Sequence, residues 1–444
     1  MTPEYSAWFQ CINGCPTRYE LNEIIYRCPQ CDDLFEVRHD MDQLKRRSAT
    51  DWKQLFEDRY RKHEWPYGSS VWGKKELVCP GIKIENIVST YEGGTNLFWA
   101  ERLGQSLGIE DLWIKQCGMA HTGSFKDLGM TVLVSMVKQM ISEGKKIRAV
   151  ACASTGDTSA ALAAYCAVAG IPAIVFLPKD KVSLTQLIQP ITHGIMTLSL
   201  DTDFDGCMKL VKEICLKEDI YLANSMNSLR IEGQKTISFE LAQQFHWDPP
   251  DYVIVPGGNL GNVSAVGKGF SMMYELGIIN KLPRLVCAQA ANADPLYKSY
   301  VKNFEEFEPV QASRTQASAI QIGDPVSVKK AIRALKEFDG IVEEASENEL
   351  ANAVGKANRT GLLCCPHTGV ALAALEKLVR NGTIRRDDRV VVISTANGLK
   401  FTDFLFQYHK NNLPDVQSEY EFAPIELPAN YGDIRDTILK ELDK

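Results

Sequence analysis

With 444 residues, of which 45% are apolar and 24% charged, the chain is long enough for two or three packed units and carries no composition bias toward disorder or fibre formation. A formal charge of −7, with both signs interspersed, argues against nucleic acid as a partner, and no stretch of about 18 uninterrupted apolar residues is present to span a membrane. The first residues lack a basic segment leading into an apolar core, so a cytoplasmic protein with small-molecule partners is expected.

In chain order, the first distinctive feature is a set of four cysteines. Three residues separate Cys11 from Cys15, two separate Cys28 from Cys31, and twelve lie between the pairs. This resembles the two knuckles of a small tetrathiolate zinc ribbon, in which Cys11, Cys15, Cys28 and Cys31 close one tetrahedral site; reduced cysteines without metal are the alternative. Tyr26-Arg27 and 34–37 read as short strands of such a ribbon, which ends near Asp40. The other nine cysteines are scattered through apolar segments, as buried free thiols are, so no disulfide scaffold is expected. From Met41 to Lys62, Leu44, Trp52, Leu55, Phe56 and Tyr60 recur among charges at helical spacing, until Trp65-Pro66-Tyr67-Gly68 breaks the pattern.

Beyond Ile87 apolar strands and helices take turns. Strands are expected at 112–115, 148–152, 173–177, 251–255, 284–288 and 389–394, with helices at 126–143, at 157–169 and from about Asn262. Such alternation implies parallel sheets covered by helices, and the length favours two sheets. An acidic tail follows Tyr408, with 421–428 as an extended surface segment.

Five loops of small, hydroxyl or amide residues follow strands or open helices, where α/β folds bind ligands. Val255-Pro256 runs into Gly257-Gly258-Asn259-Leu260-Gly261-Asn262, a turn whose backbone N–H groups and helix N-terminus suit a phosphate. It is neither a dinucleotide fingerprint nor a Walker loop. Lys126 follows Thr122-Gly123-Ser124-Phe125 and enters the first turn of a helix, where the dipole disfavours its ammonium form; that suits a Schiff-base lysine. Ser154-Thr155-Gly156-Asp157-Thr158 offers donors to a carboxylate, and Ser394-Thr395-Ala396-Asn397-Gly398 offers a hydroxyl to a ring nitrogen. The run Asn224-Ser225-Met226-Asn227-Ser228-Leu229-Arg230 gathers amides, hydroxyls and one guanidinium, a grip on a second oxyanion. Taken singly, each is also ordinary turn or cap chemistry.

Taken together, Ser-Phe-Lys-Asp at 124–127, Ser-Thr-Gly-Asp-Thr at 154–158, Asn-Ser-x-Asn-x-x-Arg-x-x-Gly-Gln at 224–234, Gly-Gly-Asn-Leu-Gly-Asn at 257–262 and Ser-Thr-Ala-Asn-Gly at 394–398 resemble the threonine synthase family. The plant-type branch is most similar, over roughly Trp65 to Tyr408. The resemblance implies a fold-type II pyridoxal-phosphate enzyme: two three-layer α/β/α domains with largely parallel sheets, behind a zinc-ribbon-like segment. The corresponding division is 1–40 for the knuckle, 41–90 for a helical linker, 91–123 with 235–444 for a large cofactor domain, and 124–234 for a small α/β domain. A homodimer is implied as well.

The same resemblance implies O-phosphohomoserine as substrate, converted with water to threonine and phosphate by γ-elimination and β-addition. Lys126 would carry the cofactor and move the α-proton. Gly257, Gly258, Asn259, Leu260, Gly261 and Asn262 would hold the cofactor phosphate, Thr395 the pyridine nitrogen, and Asp157 would lie near the phenolic oxygen. Ser154, Thr155 and Thr158 would bind the substrate carboxylate; Asn224, Ser225 and Arg230, with Ser124, its phosphate. Two features depart from the pattern. Many relatives have asparagine where this chain has Asp157, whose charge would repel a phenolate. The cysteine segment resembles a prefix of some microbial members, and the plant transit peptide is missing, which favours a non-plastid origin. The rival reading is a β-replacement enzyme acting on O-phosphoserine, as a cysteate synthase does, because one methylene is a small discrimination for a pocket.

Overall fold

The computed structural model describes residues 4–154, 156–179 and 184–443. Its first unit is a three-stranded antiparallel sheet in which β1 (Ala7–Cys11) is flanked by β2 (Arg18–Glu20) and β3 (Phe35–His39). Arg27 and Leu34 form only an isolated bridge, and the strand begins one residue later than expected, at Phe35.

The expected single helix over 41–62 is two. Asp40 caps Met41–Leu44, and Ser48 caps Ala49–Arg59 by accepting from the Asp51 N–H. Two N-caps in nine residues give the backbone a reason to restart, which apolar spacing alone conceals. Trp52 and Phe56, one turn apart, form the buried stripe of the second helix.

Two further sheets carry the body. The larger runs β12-β11-β10-β13-β5-β4, comprising β4 (Leu97–Trp99), β5 (Asp111–Gln116), β10 (Tyr252–Pro256), β11 (Arg284–Ala290), β12 (Ile341–Ala345) and β13 (Arg389–Ser394). All neighbours are parallel except β4 on β5. The smaller, wholly parallel sheet runs β8-β7-β6-β9, from β6 (Ala149–Ala153), β7 (Ala173–Pro178), β8 (Met196–Leu200) and β9 (Ile220–Leu222). The central strands Tyr-Val-Ile-Val-Pro and Arg-Val-Val-Val-Ile-Ser are β-branched and buried on both faces, as a strand between two helical layers requires.

The helix Lys126–Ser142 joins the two halves. Met130, Leu133, Val134 and Val137 pack into the core of the smaller sheet with Val150, Cys152 and Tyr165. Leu128, Val132 and Met136 join the other core with Leu229, Leu260 and Val263. Gly233 permits that second contact, because a Cβ there would fall 1.6 Å from the Leu128 carbonyl oxygen. This arrangement places the loops. Strands β5, β13 and β10 are parallel neighbours, so the segments leaving their carboxyl ends lie side by side, as do those leaving β6 and β9. The tail beyond 421 is exposed, as expected to 428, but then forms an unanticipated helix, Tyr431–Leu442, with no buried residue. Among the described residues no helix is long and apolar enough to cross a membrane.

Candidate active site

Lys126 is the first residue of its helix, and the loop ahead of it is stapled to the loop leaving β13. The Phe125 N–H donates to the Thr395 carbonyl at 2.9 Å, the Asn397 N–H to that of Gly123 at 2.9 Å, and Ser124 pairs with Ala396. Asp127 tightens the same turn, accepting from the Thr122 N–H at 2.8 Å and from its hydroxyl. Burial pushes the Asp127 carboxyl up to about 7. Lys126 itself has no ion pair among the described residues; its Nζ lies 3.7 Å from the centroid of the Phe125 ring. Burial, reinforced by the positive charges of Arg230 and Lys400 and opposed by Asp157, lowers its amine to about 7. A lysine neutral near pH 7 is both nucleophile and base.

The glycine turn leaves β10 with Leu260 in the left-handed region (φ 64°) as the residue before the helix Gly261–Glu275. The N–H groups of Gly258, Asn259 and Leu260 make no hydrogen bond among the described residues, so three donors converge at a helix N-terminus. Gly257 directly follows β10. Its N–H is spent on the Ala288 carbonyl at 2.7 Å, and a Cβ there would lie 2.4 Å from Cys287 Sγ, so it makes the turn rather than donating. Asn262 closes the turn through Nδ2 to the Pro256 carbonyl at 2.6 Å. Asn259 reaches out, from Nδ2 to Ser225 Oγ at 3.4 Å.

Arg230 is 4% exposed and has no carboxylate partner among the described residues. Its Nη1 donates to the Ala223 carbonyl at 3.2 Å and its Nη2 to Thr158 Oγ1 at 3.3 Å, while Nε has no partner among them. Burial lowers the guanidinium to about 10, still charged at neutral pH. A buried, charged guanidinium held only by neutral groups is an anion site. The Asn224 amide accepts from the Ala153 N–H at 3.1 Å and donates to the Ala153 carbonyl at 2.9 Å. Nδ2 also meets Met208 Sδ at 3.2 Å, so this residue fixes the end of β6. Ser154, just beyond β6, accepts the Gly156 N–H at 3.3 Å; Thr155 lies outside the described residues.

At the other end, Asp157 forms an ion pair with Lys400 at 2.9 Å. Lys400 also donates to the Thr122 carbonyl at 2.9 Å and to Gln189 Oε1 at 3.2 Å. The pair bears on the charge conflict that Asp157 posed, since Lys400 neutralises the carboxylate. Sequence reasoning missed Lys400; only the side chains it meets distinguish it from a surface lysine. Thr395 is buried with Oγ1 3.9 Å from Cys365 Sγ. The Cys365 thiol is lowered to about 7, burial raising it and neighbouring His367 and Thr368 outweighing that.

Lys126, Asp157 and Thr395 thus share one set of stapled loops, while Ser225 meets the glycine turn through Asn259 and Arg230 meets Thr158. Ser124 is buried in the stapled loop. Cys11, Cys15, Cys28 and Cys31 stand apart, at the sheet of β1 to β3, with their sulfurs all within 4.8 Å of one another.

Comparison with known proteins bears on all of this. Residues 88–396 match the family model described as pyridoxal-phosphate dependent enzyme. Over 441 residues the chain is 56% identical to threonine synthase 2, chloroplastic, of Arabidopsis thaliana, covering 98% of this chain and 85% of that protein. It is 39% identical to the threonine synthase of Methanocaldococcus jannaschii, over 98% of this chain and 99% of the other. The plant match covers 98% of this chain, so the cysteine segment is no mark of microbial origin. Among solved structures, Escherichia coli threonine synthase superposes with a TM-score of 0.67 at 18% identity, covering 98% of this chain and 100% of that one. Maize serine racemase superposes at 0.61 with 18% identity, covering 77% and 96%. At such identities these two establish the fold.

Proposed function

The chain belongs to the threonine synthase family of pyridoxal-phosphate-dependent enzymes, and from that premise we propose that it converts O-phosphohomoserine and water into L-threonine and phosphate. The observation that carries the substrate is Arg230, a buried guanidinium with no carboxylate partner among the described residues, separate from the free N–H groups of the glycine turn. A cofactor phosphate accounts for one anion site. The second calls for a phosphorylated substrate.

The residues fit the cofactor. Gly258, Asn259 and Leu260 would hold its phosphate, Lys126 its reactive carbon, Thr395 its ring nitrogen, and the Asp157–Lys400 pair the region of its phenolic oxygen. Bound pyridoxal phosphate supplies an electron sink for charge developing at the substrate α-carbon. The neutral amine of Lys126 takes the α-proton, and the turn built by Asp127 and Thr122 keeps it aimed. Arg230, with Ser225 and Ser124, holds the substrate phosphate and receives its charge as the γ-oxygen bond breaks. Ser154 and Thr158 orient the carboxylate, with Asn224 holding the end of β6. The measurement that decides substrate length is phosphate release with product identification on O-phosphohomoserine, against O-phosphoserine with sulfite. Threonine is expected as the product; equal or better turnover of O-phosphoserine would replace this reading with β-replacement.

The two sheets support a division into 91–123 with 235–444 around the larger and 124–234 around the smaller, behind segments 1–40 and 41–90. A homodimer in the cytoplasm completes the proposal: the family resemblance supports the former, and thirteen unpaired cysteines suit a reducing compartment. We also assign structural zinc to Cys11, Cys15, Cys28 and Cys31. Tetrahedral coordination at about 2.3 Å sets sulfurs roughly 3.8 Å apart, and Cys11 and Cys31 already lie 3.4 Å apart. One zinc per chain is expected in the purified protein, and Cys28→Ser should lose it; an unchanged zinc content would refute the site.

A further inference from the structure

The N-terminal sheet does not hang free of the catalytic body. Its loop and β3 touch the segment 222–232 at three points, at Leu222, Ser228 and Glu232. Tyr26, between the two cysteine pairs, accepts the Leu222 N–H at 2.8 Å and sets its ring on Tyr221, centroids 5.7 Å apart. Leu222 immediately precedes Ala223, whose carbonyl receives Arg230 Nη1. The carbonyl of Phe35 in β3 accepts the Ser228 hydroxyl and Lys330 Nζ, and Lys330 also donates to Ser228 Oγ at 3.3 Å. His39, closing β3, meets Glu232 at 2.9 Å, one of three basic groups around that buried carboxylate, with Lys235 and Lys268.

A second line of contacts leads to the glycine turn. Asp33 pairs with Lys329 and Glu36 with Arg333, both on the helix Val328–Glu337. That helix starts beside Ser327, whose N–H donates to the Asn259 carbonyl at 3.1 Å. Loops of small polar residues have little packing of their own, so their geometry must come from neighbours. Here the neighbour is the cysteine-bearing sheet.

We propose that the N-terminal sheet is a positioning element for the substrate phosphate: through Tyr26, Phe35 and Lys330 it holds the 222–230 segment so that the Arg230 guanidinium faces the anion. This rests on the substrate reading above. Tyr26 and Lys330 are its positioning residues, and neither lies in the binding set. A chain without this latch keeps its chemistry and loses its grip on phosphate, because misplacing a charged contact by about an ångström weakens binding of the group it serves.

The test uses full-length holoenzyme. Tyr26→Phe removes one oxygen and keeps the ring; Lys330→Met removes the ammonium, with Lys330→Arg as the conservative rescue. In Tyr26→Phe/Lys330→Met, KM for O-phosphohomoserine and the calorimetric Kd for inorganic phosphate are expected to rise together by about tenfold, with kcat within about threefold. Lys330→Arg alone should stay near wild type. Unchanged KM and phosphate affinity, or a loss of kcat and thermal stability without a change in KM, would overturn the proposal. Failure of the wild type to turn over O-phosphohomoserine would instead count against the substrate reading, while the phosphate titration would still judge the latch.

Discussion

Lys126→Ala is expected to lower phosphate release from O-phosphohomoserine by about 10³-fold or more, and to leave a protein from which borohydride no longer fixes the cofactor. The size follows from two duties falling on one atom. On the proposed reading Nζ is both the nucleophile that attaches the cofactor and the base that moves the α-proton, so its loss is not shared out among neighbours. The nearby Lys400 is no substitute, being committed to Asp157, Thr122 and Gln189. The pH dependence follows from the same surroundings. Burial and Arg230 depress the free amine to about 7, so the neutral, reactive form grows as pH rises through that value. Capture of pyridoxal phosphate by the apo protein should therefore accelerate from about pH 6 to about 8 and then level off. A rate still climbing at about pH 10, as an ordinary lysine would give, contradicts the assignment, as does borohydride fixation in the variant.

Arg230→Met is expected to reduce kcat/KM by about 10²-fold, the equivalent of about 3 kcal/mol for removing one member of a buried charge-assisted contact. Arg230→Lys should recover only part of this. The guanidinium spans the Ala223 carbonyl and Thr158 Oγ1 with two different nitrogens, and an ammonium is a single point charge on a flexible stem. A second consequence has a definite sign. Arg230 is the largest charged contribution lowering Lys126, so its removal favours the ammonium and moves the Lys126 transition upward. The acid limb of the pH profile should shift to higher pH in Arg230→Met, with phosphate inhibition weakened in parallel. A variant with unchanged kcat/KM would show that the substrate phosphate sits elsewhere.

Much of this site is legible in the amino-acid sequence. Lys126, the glycine turn and Arg230 each stand in a run whose neighbours are small or hydroxyl-bearing, and strand-helix alternation puts those runs at the ends of strands. The roles of particular atoms are not legible there. Gly257 and Asn224 read as anion contacts because both lie in polar turns, yet the Gly257 N–H closes on Ala288 and the Asn224 amide on Ala153. Lys400, which resolves the awkward charge of Asp157, lies 243 positions away from it in the chain and reads as a surface lysine. Short or edge elements escape for a related reason: β9 has three residues, too few to express a period, and β4 is an antiparallel edge beside five parallel strands.

Fold class and family were legible in the amino-acid sequence, because those rest on local pattern: which residues alternate, which runs are apolar, which loops are small. Tertiary structure alone decided which donors remain free, which charges are paired and what braces the anion site. These depend on contacts between segments far apart in the chain, such as Tyr26 with Leu222 and Asp157 with Lys400. A polar group's partner is set by where two loops meet in space, and its own neighbours in sequence carry no record of that meeting.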